Sequence, residues 1–323
     1  MNDSIVIVST NWIGDVIMSL PAVQIFRAET PDVSITVLAK PCVKAVWEMC
    51  PAVDFVETME NPFVTARRLK AAHFSAAYIF PNSFRSAFIP FLARIPARIG
   101  LRGKWRRLML TGTIALPNGH QQFEPMNILG VQGDPPPPEL AVPERDIQAV
   151  KEKIKTAGNE CLSQIITILP GAARGPAKRW PAENFAAVAK RLQAELNAQL
   201  ILAGGPGDRP VCEEIASSAG GGILNFAGET TIAEWAALLK ISRCAVSNDS
   251  GGMHLAAAVG TPVVAVFGIT DPAKTGPLGT AAILQKSELK TRDIARNSEA
   301  AGRALAAITP AEVFNAVREQ LTG

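Results

Sequence analysis

Hydrophobic positions along this chain come as short unbroken runs, punctuated by polar residues, glycine and proline. Residues 5–9, 33–38, 53–58 and 76–80 form four such runs, with helical segments near 43–49 and 65–72 between them. Runs without alternation mark strands buried on both faces, as in a parallel sheet covered by helices. The pattern pauses at 132–143, QGDPPPPELAVP, where four consecutive prolines favour an extended, semi-rigid spacer. It restarts with a helix at about 145–157 and strands at 164–169, 199–203, 244–247 and 263–267. Helices begin near 182 and span about 232–239, and an amphipathic helix at 310–321 closes the chain. Strand-helix alternation on both sides of a proline spacer predicts an α/β protein with two doubly wound, Rossmann-like domains, 1–143 and 144–308.

Composition agrees with two domains: 323 residues exceed one ordinary core, and 48% hydrophobic with 19% charged residues fits a soluble, well-packed protein. No run of about 18 uncharged apolar residues is present, so no membrane span is expected. The opening MNDSIVIVSTNWIGD has no basic leader and reads as a first strand rather than a signal peptide. Five scattered cysteines without C-x-x-C spacing point to reduced thiols in a cytoplasmic protein, with neither a disulfide framework nor a zinc site. Charge changes the picture more. Residues 61–123 hold ten Lys or Arg and no Asp or Glu, while the remainder carries 22 basic against 29 acidic residues. Part of the first half is built to sit against something anionic, whether lipid head groups or nucleic acid.

The ligand crevice of a doubly wound sheet lies at the carboxyl ends of its strands, so the strand exits carry the candidate chemistry. After the first strand, TNWIGD puts Asp15 at the start of a helix from about 16, without the G-x-G-x-x-G of dinucleotide binding. An acid there also reads as a helix-start residue favoured by the dipole. The strand at 76–80 exits into PNSFRS, bringing Asn82, Ser83 and Arg85 to the same edge. In the second half, NDSGGMHLAAAVGTPVVAVFG at 248–268 reads as a polar turn, a glycine pair, a helix at about 253–259 and a buried strand. The first turn of a helix exposes unpaired N–H groups and the positive dipole end, and Gly251 and Gly252 remove side chains that would hold an anion away. The spot suits a diphosphate, or is simply a helix capped by Ser250 or Asp249. The loop PGAARGPAKRWP at 170–181 offers Lys178 to neutralise a diphosphate, with Asp15 facing it across the cleft that two such domains would form. Ser250, Asp249 and His254 lie too close on one turn for a hydrolytic triad; His254 packs beneath the phosphate loop or hydrogen-bonds within it. No D-x-D occurs and the three histidines are far apart, so no metal is expected.

Four stretches resemble glycosyltransferase family 9, the ADP-heptose:lipopolysaccharide heptosyltransferases. They are NWIGDVIMSLPA at 11–22, PNSFRSA at 81–87, GPAKRWPAENFA at 175–186 and the whole of 248–268, with FAGETT at 226–231 as a further family-like loop. The likeness spans essentially the whole chain and is strongest to the heptosyltransferase II branch. It implies a GT-B architecture: acceptor domain first, nucleotide-sugar domain second, and a final helix, 309–323, returning toward the first. It also implies inverting, metal-independent transfer of heptose from ADP-L-glycero-β-D-manno-heptose, with no separate cofactor. The acceptor would be the heptosyl-Kdo2 inner core of lipopolysaccharide, at the cytoplasmic face of the inner membrane. Asp15, at the family's catalytic acidic position, is the expected base, and Lys178 with the backbone N–H groups of Ser250, Gly251 and Gly252 would stabilise the leaving ADP. Asp249 either accepts sugar or ribose hydroxyls or caps its helix; Asp208 and Glu229 are candidates for ribose or adenine contacts. Asn82, Ser83, Arg85, Arg102, Lys104 and Arg107 are the candidates for the anionic acceptor.

Three departures stand out. Ala173-Arg174 replace the branch's usual Glu and aromatic, Gly252 replaces a usual Leu and is expected to loosen the phosphate loop, and HQQFEPMN at 120–127 lacks the usual acidic-Arg-Tyr pattern. Rival readings are a family 9 transferase with another donor or acceptor, and a nucleotide-sugar-binding protein without turnover. Nucleic acid, suggested by the basic run alone, is not an expected partner.

Overall fold

The computed structural model describes residues 3–103, 105–158, 162–291 and 295–322; the acceptor candidate Lys104 and the thiol of Cys161 lie outside them. The unbroken aliphatic runs become buried parallel strands, and the chain divides into two compact units, Met1–Ala141 and Val142–Gly323. The first unit begins β1 (Ser4–Val8), α1 (Ile13–Glu29), β2 (Ser34–Ala39), α2 (Pro41–Glu48), β3 (Phe55–Thr58) and α3 (Pro62–Ala71). It continues with β4 (Ala76–Ile79), α4 (Phe84–Leu92), β5 (Ala97–Leu101), β6 (Gly112–Ile114) and α5 (Phe123–Leu129). Its six parallel strands are ordered β3-β2-β1-β4-β5-β6. Val6, Ile7 and Val8 of the central strand are wholly buried, as unbroken aliphatic runs require.

The second unit opens with α6 (Glu144–Thr156), β7 (Ile165–Leu169), α7 (Ala182–Leu196), β8 (Gln199–Leu202), α8 (Arg209–Ala219) and β9 (Leu224–Asn225). Then come α9 (Ile232–Ile241), β10 (Cys244–Asn248), α10 (Gly251–Ala258), β11 (Val263–Phe267), α11 (Pro272–Thr275) and β12 (Ala281–Gln285). Two helices, α12 (Glu299–Ala306) and α13 (Pro310–Thr322), follow. The sheet order β12-β11-β10-β7-β8-β9 repeats that of the first unit, with β7 in the place of β1 and β10 in the place of β4. In both sheets the chain reverses its direction of winding between those two strands, which pair directly as β1 with β4 and β7 with β10. Ligand crevices of such sheets open at that switch point, beyond the carboxyl ends of the strands.

Several segments differ from the pattern-based reading. The basic stretch 94–107 contains a strand, β5, hidden in the sequence because Arg98 and Gly100 interrupt its apolar run. Arg98 turns back on the first unit, its Nε donating to the Met109 carbonyl at 2.6 Å. The proline stretch is not a free spacer. Gln24 Nε2 donates to the Pro137 carbonyl at 3.2 Å, the Ala141 N–H donates to Met49 at 2.7 Å, and Leu140 is buried. Proline removes N–H donors but leaves carbonyls, which the first unit uses to hold the segment down. The closing helix, expected to return toward the first domain, packs with Val313, Phe314 and Val317 in the core of the second unit, among residues of α7, β8 and β10. The four described cysteines are free.

Candidate active site

In the second unit the exits of β7 and β10, neighbours at the switch point, meet at their side chains. Asn248 ends β10 fully buried, accepting from the Trp180 N–H at 2.9 Å and donating to the Pro170 carbonyl at 2.7 Å. One amide thus ties both ends of the loop after β7 to the root of α10. The loop carries Lys178 at the end of a short turn, Pro176–Lys178, and Trp180, whose indole N–H donates to the Ile308 carbonyl at 3.0 Å. So anchored, Lys178 Nζ lies 2.5 Å from Asp249 Oδ2, the two side chains only 10% and 7% exposed. Asp249 therefore holds the lysine. Ser250 is the N-cap of α10 with no capping hydrogen bond from its side chain, so that oxygen satisfies none of the first-turn N–H groups. Lys178, Asp249, Ser250 and Gly251 are brought together; His254 is buried on the same helix.

Gly252 does not loosen this loop. A Cβ there would lie 2.9 Å from the Trp235 ring and 3.0 Å from Leu169, so an indole from α9 fills the room a leucine would take. Gly252→Leu is expected to overpack the site by about 1–3 kcal/mol. A lowered melting temperature in thermal denaturation, recovered when Trp235→Ala is added, checks this.

Asp208 and Glu229 are placed differently. Asp208 Oδ2 accepts from the Gly205 N–H at 3.0 Å, and Oδ1 stands 3.5 Å from Arg179 Nη2. Gly171 gives it room, since a Cβ at 171 would meet the carboxylate at 2.3 Å. The acid is spent on joining the loops after β7 and β8. Glu229 pairs at 2.8 Å with Arg209 on the surface, which raises the arginine's pKa. Arg179, passed over in the sequence, has a buried Nε without a hydrogen-bond partner beside this loop.

In the first unit Asp15 lies in the first turn of α1, past the end of β1, half-buried and in the favourable dipole position. Gln121 Nε2 donates to its Oδ1 at 3.1 Å. That glutamine belongs to 120–127, the segment where the family pattern fails, and nothing in the local sequence marks it. At the exit of β4, Ser83 caps α4 by accepting from the Ser86 N–H at 3.2 Å, while Asn82 Oδ1 accepts from Arg106 Nη1 at 3.0 Å. Arg106, also missed, is 2% exposed, and its Nη1 reaches the Pro81 carbonyl at 2.6 Å. Gly100 and Gly103 make way for it: a Cβ would come within 2.6 Å of Nη2 at 100 and 2.8 Å of Cδ at 103. Burial lowers its pKa from the usual guanidinium value. The basic run is thus divided. Arg98 and Arg106 are internal ties, whereas Arg85, Arg102 and Arg107 are exposed at or after strand exits. Among the described residues no group of three or more His, Cys, Asp or Glu is gathered as metal ligands would be, and no helix is long and apolar enough to cross a membrane.

Comparison with known proteins follows this geometry. The model of "Glycosyltransferase family 9 (heptosyltransferase)" matches residues 63–301. The chain is 29% identical to the lipopolysaccharide heptosyltransferase 2 of Salmonella typhimurium, covering 98% of both sequences. It is 32% identical to the protein of the same name from Escherichia coli K12, over 85% of each. Among solved structures it is similar to E. coli ADP-heptose LPS heptosyltransferase II, with a TM-score of 0.86, 28% identity and coverage of 99% and 98%. A family 9 glycosyltransferase from Veillonella parvula shares the fold at a TM-score of 0.87 and 22% identity, over 100% and 99% of the two chains.

Proposed function

The chain belongs to glycosyltransferase family 9, and on that footing we propose that it transfers L-glycero-D-manno-heptose from ADP-heptose to the heptosyl-Kdo2 inner core of lipopolysaccharide. Acceptor and enzyme meet at the cytoplasmic face of the inner membrane, and the anomeric configuration inverts to give an α-linked second heptose. The observation that carries the reading is Lys178, buried against Asp249 at the start of α10, whose N-cap side chain leaves the first-turn N–H groups to a ligand. A diphosphate bound there meets preorganised N–H groups and one ammonium. As the C1–O bond to ADP breaks, negative charge grows on the phosphate oxygens, and these donors stabilise it without rearranging. Asp15 takes the proton from the acceptor hydroxyl as that oxygen attacks C1 from the opposite face, so one carboxylate suffices for inversion. Asn82 and the exposed Arg85, Arg102 and Arg107, with Lys104, hold the anionic acceptor; Ser83 shapes the turn that presents them.

Incubation of the purified chain with ADP-heptose and truncated core acceptors tests the reading. One added heptose on the heptosyl-Kdo2 acceptor supports it. Transfer to a different core acceptor would replace the acceptor assignment, and ADP binding without ADP release would leave a non-catalytic binding protein.

Gln121 acts in this scheme as a positioning residue. A hydrogen bond to a charged carboxylate contributes about 1.5 kcal/mol or more, roughly tenfold in rate. Gln121→Ala is expected to lower kcat about tenfold on a water-soluble acceptor with the donor KM unmoved; an unchanged kcat in steady-state kinetics would remove the role.

A further inference from the structure

Trp235 takes no part in the scheme above, yet its indole reaches the start of α10. It closes the first turn of α9, its backbone N–H donating to the Thr231 carbonyl at 2.8 Å. That turn is fixed by a reciprocal cap: Thr231 Oγ1 accepts from the Glu234 N–H at 3.1 Å, and Glu234 Oε2 accepts from the Thr231 N–H at 2.7 Å. From this rigid root the half-buried side chain crosses to α10. The position of a Cβ on Gly252 lies 2.9 Å from Cζ2 of the ring, 3.3 Å from Cη2 and 3.0 Å from Leu169 Cδ1. Leu169 ends β7 and Gly252 follows β10, so the indole is wedged where the paired strands of the switch point exit. Nε1 belongs to the same edge of the ring as Cζ2. Its N–H is buried and has no hydrogen-bond partner. Carbon alone would fill this room; an indole brings a donor as well, and a buried donor without an acceptor is costly. Beside it, the Ser250 side chain caps none of the first-turn N–H groups of α10. Donors of two kinds thus stand side by side, a demand that an oxygen-rich anion meets.

We propose that the Trp235 indole N–H donates to a phosphate oxygen of the nucleotide-sugar donor, alongside the N–H groups that open α10. The inference rests on the reading of that helix start as the diphosphate site and adds a side chain to it. An indole N–H is a donor only, so it selects an acceptor-rich group and cannot turn to offer a lone pair. A charged phosphate oxygen strengthens such a bond about twofold over a neutral partner, which favours a diphosphate over an uncharged nucleoside. Packing between Leu169 and Gly252 holds the ring in place beforehand, so little side-chain freedom is lost when the ligand arrives. Gly252 makes the arrangement possible, because a side chain at that position would occupy the space of the ring.

The test uses the full chain with ADP as the probe. Trp235→Phe keeps an aromatic ring and removes the N–H, and is expected to raise the Kd for ADP about tenfold in isothermal titration. A second measurement is made on the parent itself, whose five tryptophans give distinct indole signals in ¹H–¹⁵N spectra. The signal of Trp235, assigned through Trp235→Phe or Trp235→Tyr, is expected to move downfield as ADP is added and to stay in place when adenosine is added instead. Loss of packing alone would not produce that shift, since the parent ring is intact. A Kd in Trp235→Phe within about twofold of the parent, or an indole signal that ADP leaves unmoved, overturns the proposal. A parent chain that binds no ADP would remove the diphosphate reading together with it. Binding of ADP requires no turnover, so a chain that engages ADP through Trp235 but transfers no heptose would count against the transferase reading alone.

Discussion

Asp15→Ala is expected to reduce heptose transfer by about 10³-fold, or roughly 4 kcal/mol of barrier, while the Kd for ADP-heptose stays within about twofold. The expected split follows from the division of labour between the units. In the proposed scheme donor affinity resides in the loop after β7 and the start of α10, whereas Asp15, in α1, meets the acceptor proton only as the transition state forms. Asp15→Asn is the sharper variant. Its amide oxygen can still accept from Gln121, so the hydrogen bond at Oδ1 and the side-chain shape persist while the capacity to take a proton is lost. Single-turnover transfer and isothermal titration with ADP-heptose, run on both variants, separate chemistry from binding. Parent-like turnover by Asp15→Asn would sink the base assignment outright.

Lys178→Ala has the second large effect, and it acts on two quantities at once. Removal of one preorganised donor to the leaving diphosphate is expected to lower kcat/KM by about 10²- to 10³-fold. It also leaves Asp249, whose side chain is 7% exposed, without its cationic partner. Breaking a buried pair from one side costs about 3–5 kcal/mol, because the surviving charge has been taken from water and given nothing back. The second unit should therefore melt roughly 5–15 °C lower. The double variant Lys178→Ala/Asp249→Asn distinguishes the two effects. With the orphaned charge gone, thermal stability should largely return while transfer stays low. If activity returned along with stability, Lys178 would be a structural tie and the diphosphate would be neutralised elsewhere.

Eight of the twelve strands, all but β5, β6, β9 and β12, were legible in the residue order with the loops after them, and Asp15 and Lys178 stood out there as candidates. Aliphatic runs such as 263–267 can lie nowhere but between two covered faces, and glycine and proline bias the backbone locally, so these signals need no distant partner. Where a run is broken the signal fails: β5 escaped notice because Arg98 and Gly100 interrupt it, and only the fold shows that Arg98 reaches back to Met109 and that Gly100 clears a path for Arg106. The electrostatics of the site were hidden for the same reason. Lys178 meets Asp249 across 71 residues and Gln121 meets Asp15 across 106. Asn248, a plain polar residue in the sequence, joins both ends of the loop after β7. Periodicity along the chain reports which faces are buried. Which charges neutralise each other, and which cations remain for a ligand, is decided by side chains that become neighbours only after the sheets have assembled, since hydrogen bonds and ion pairs act over a few ångströms of space and are indifferent to separation along the chain.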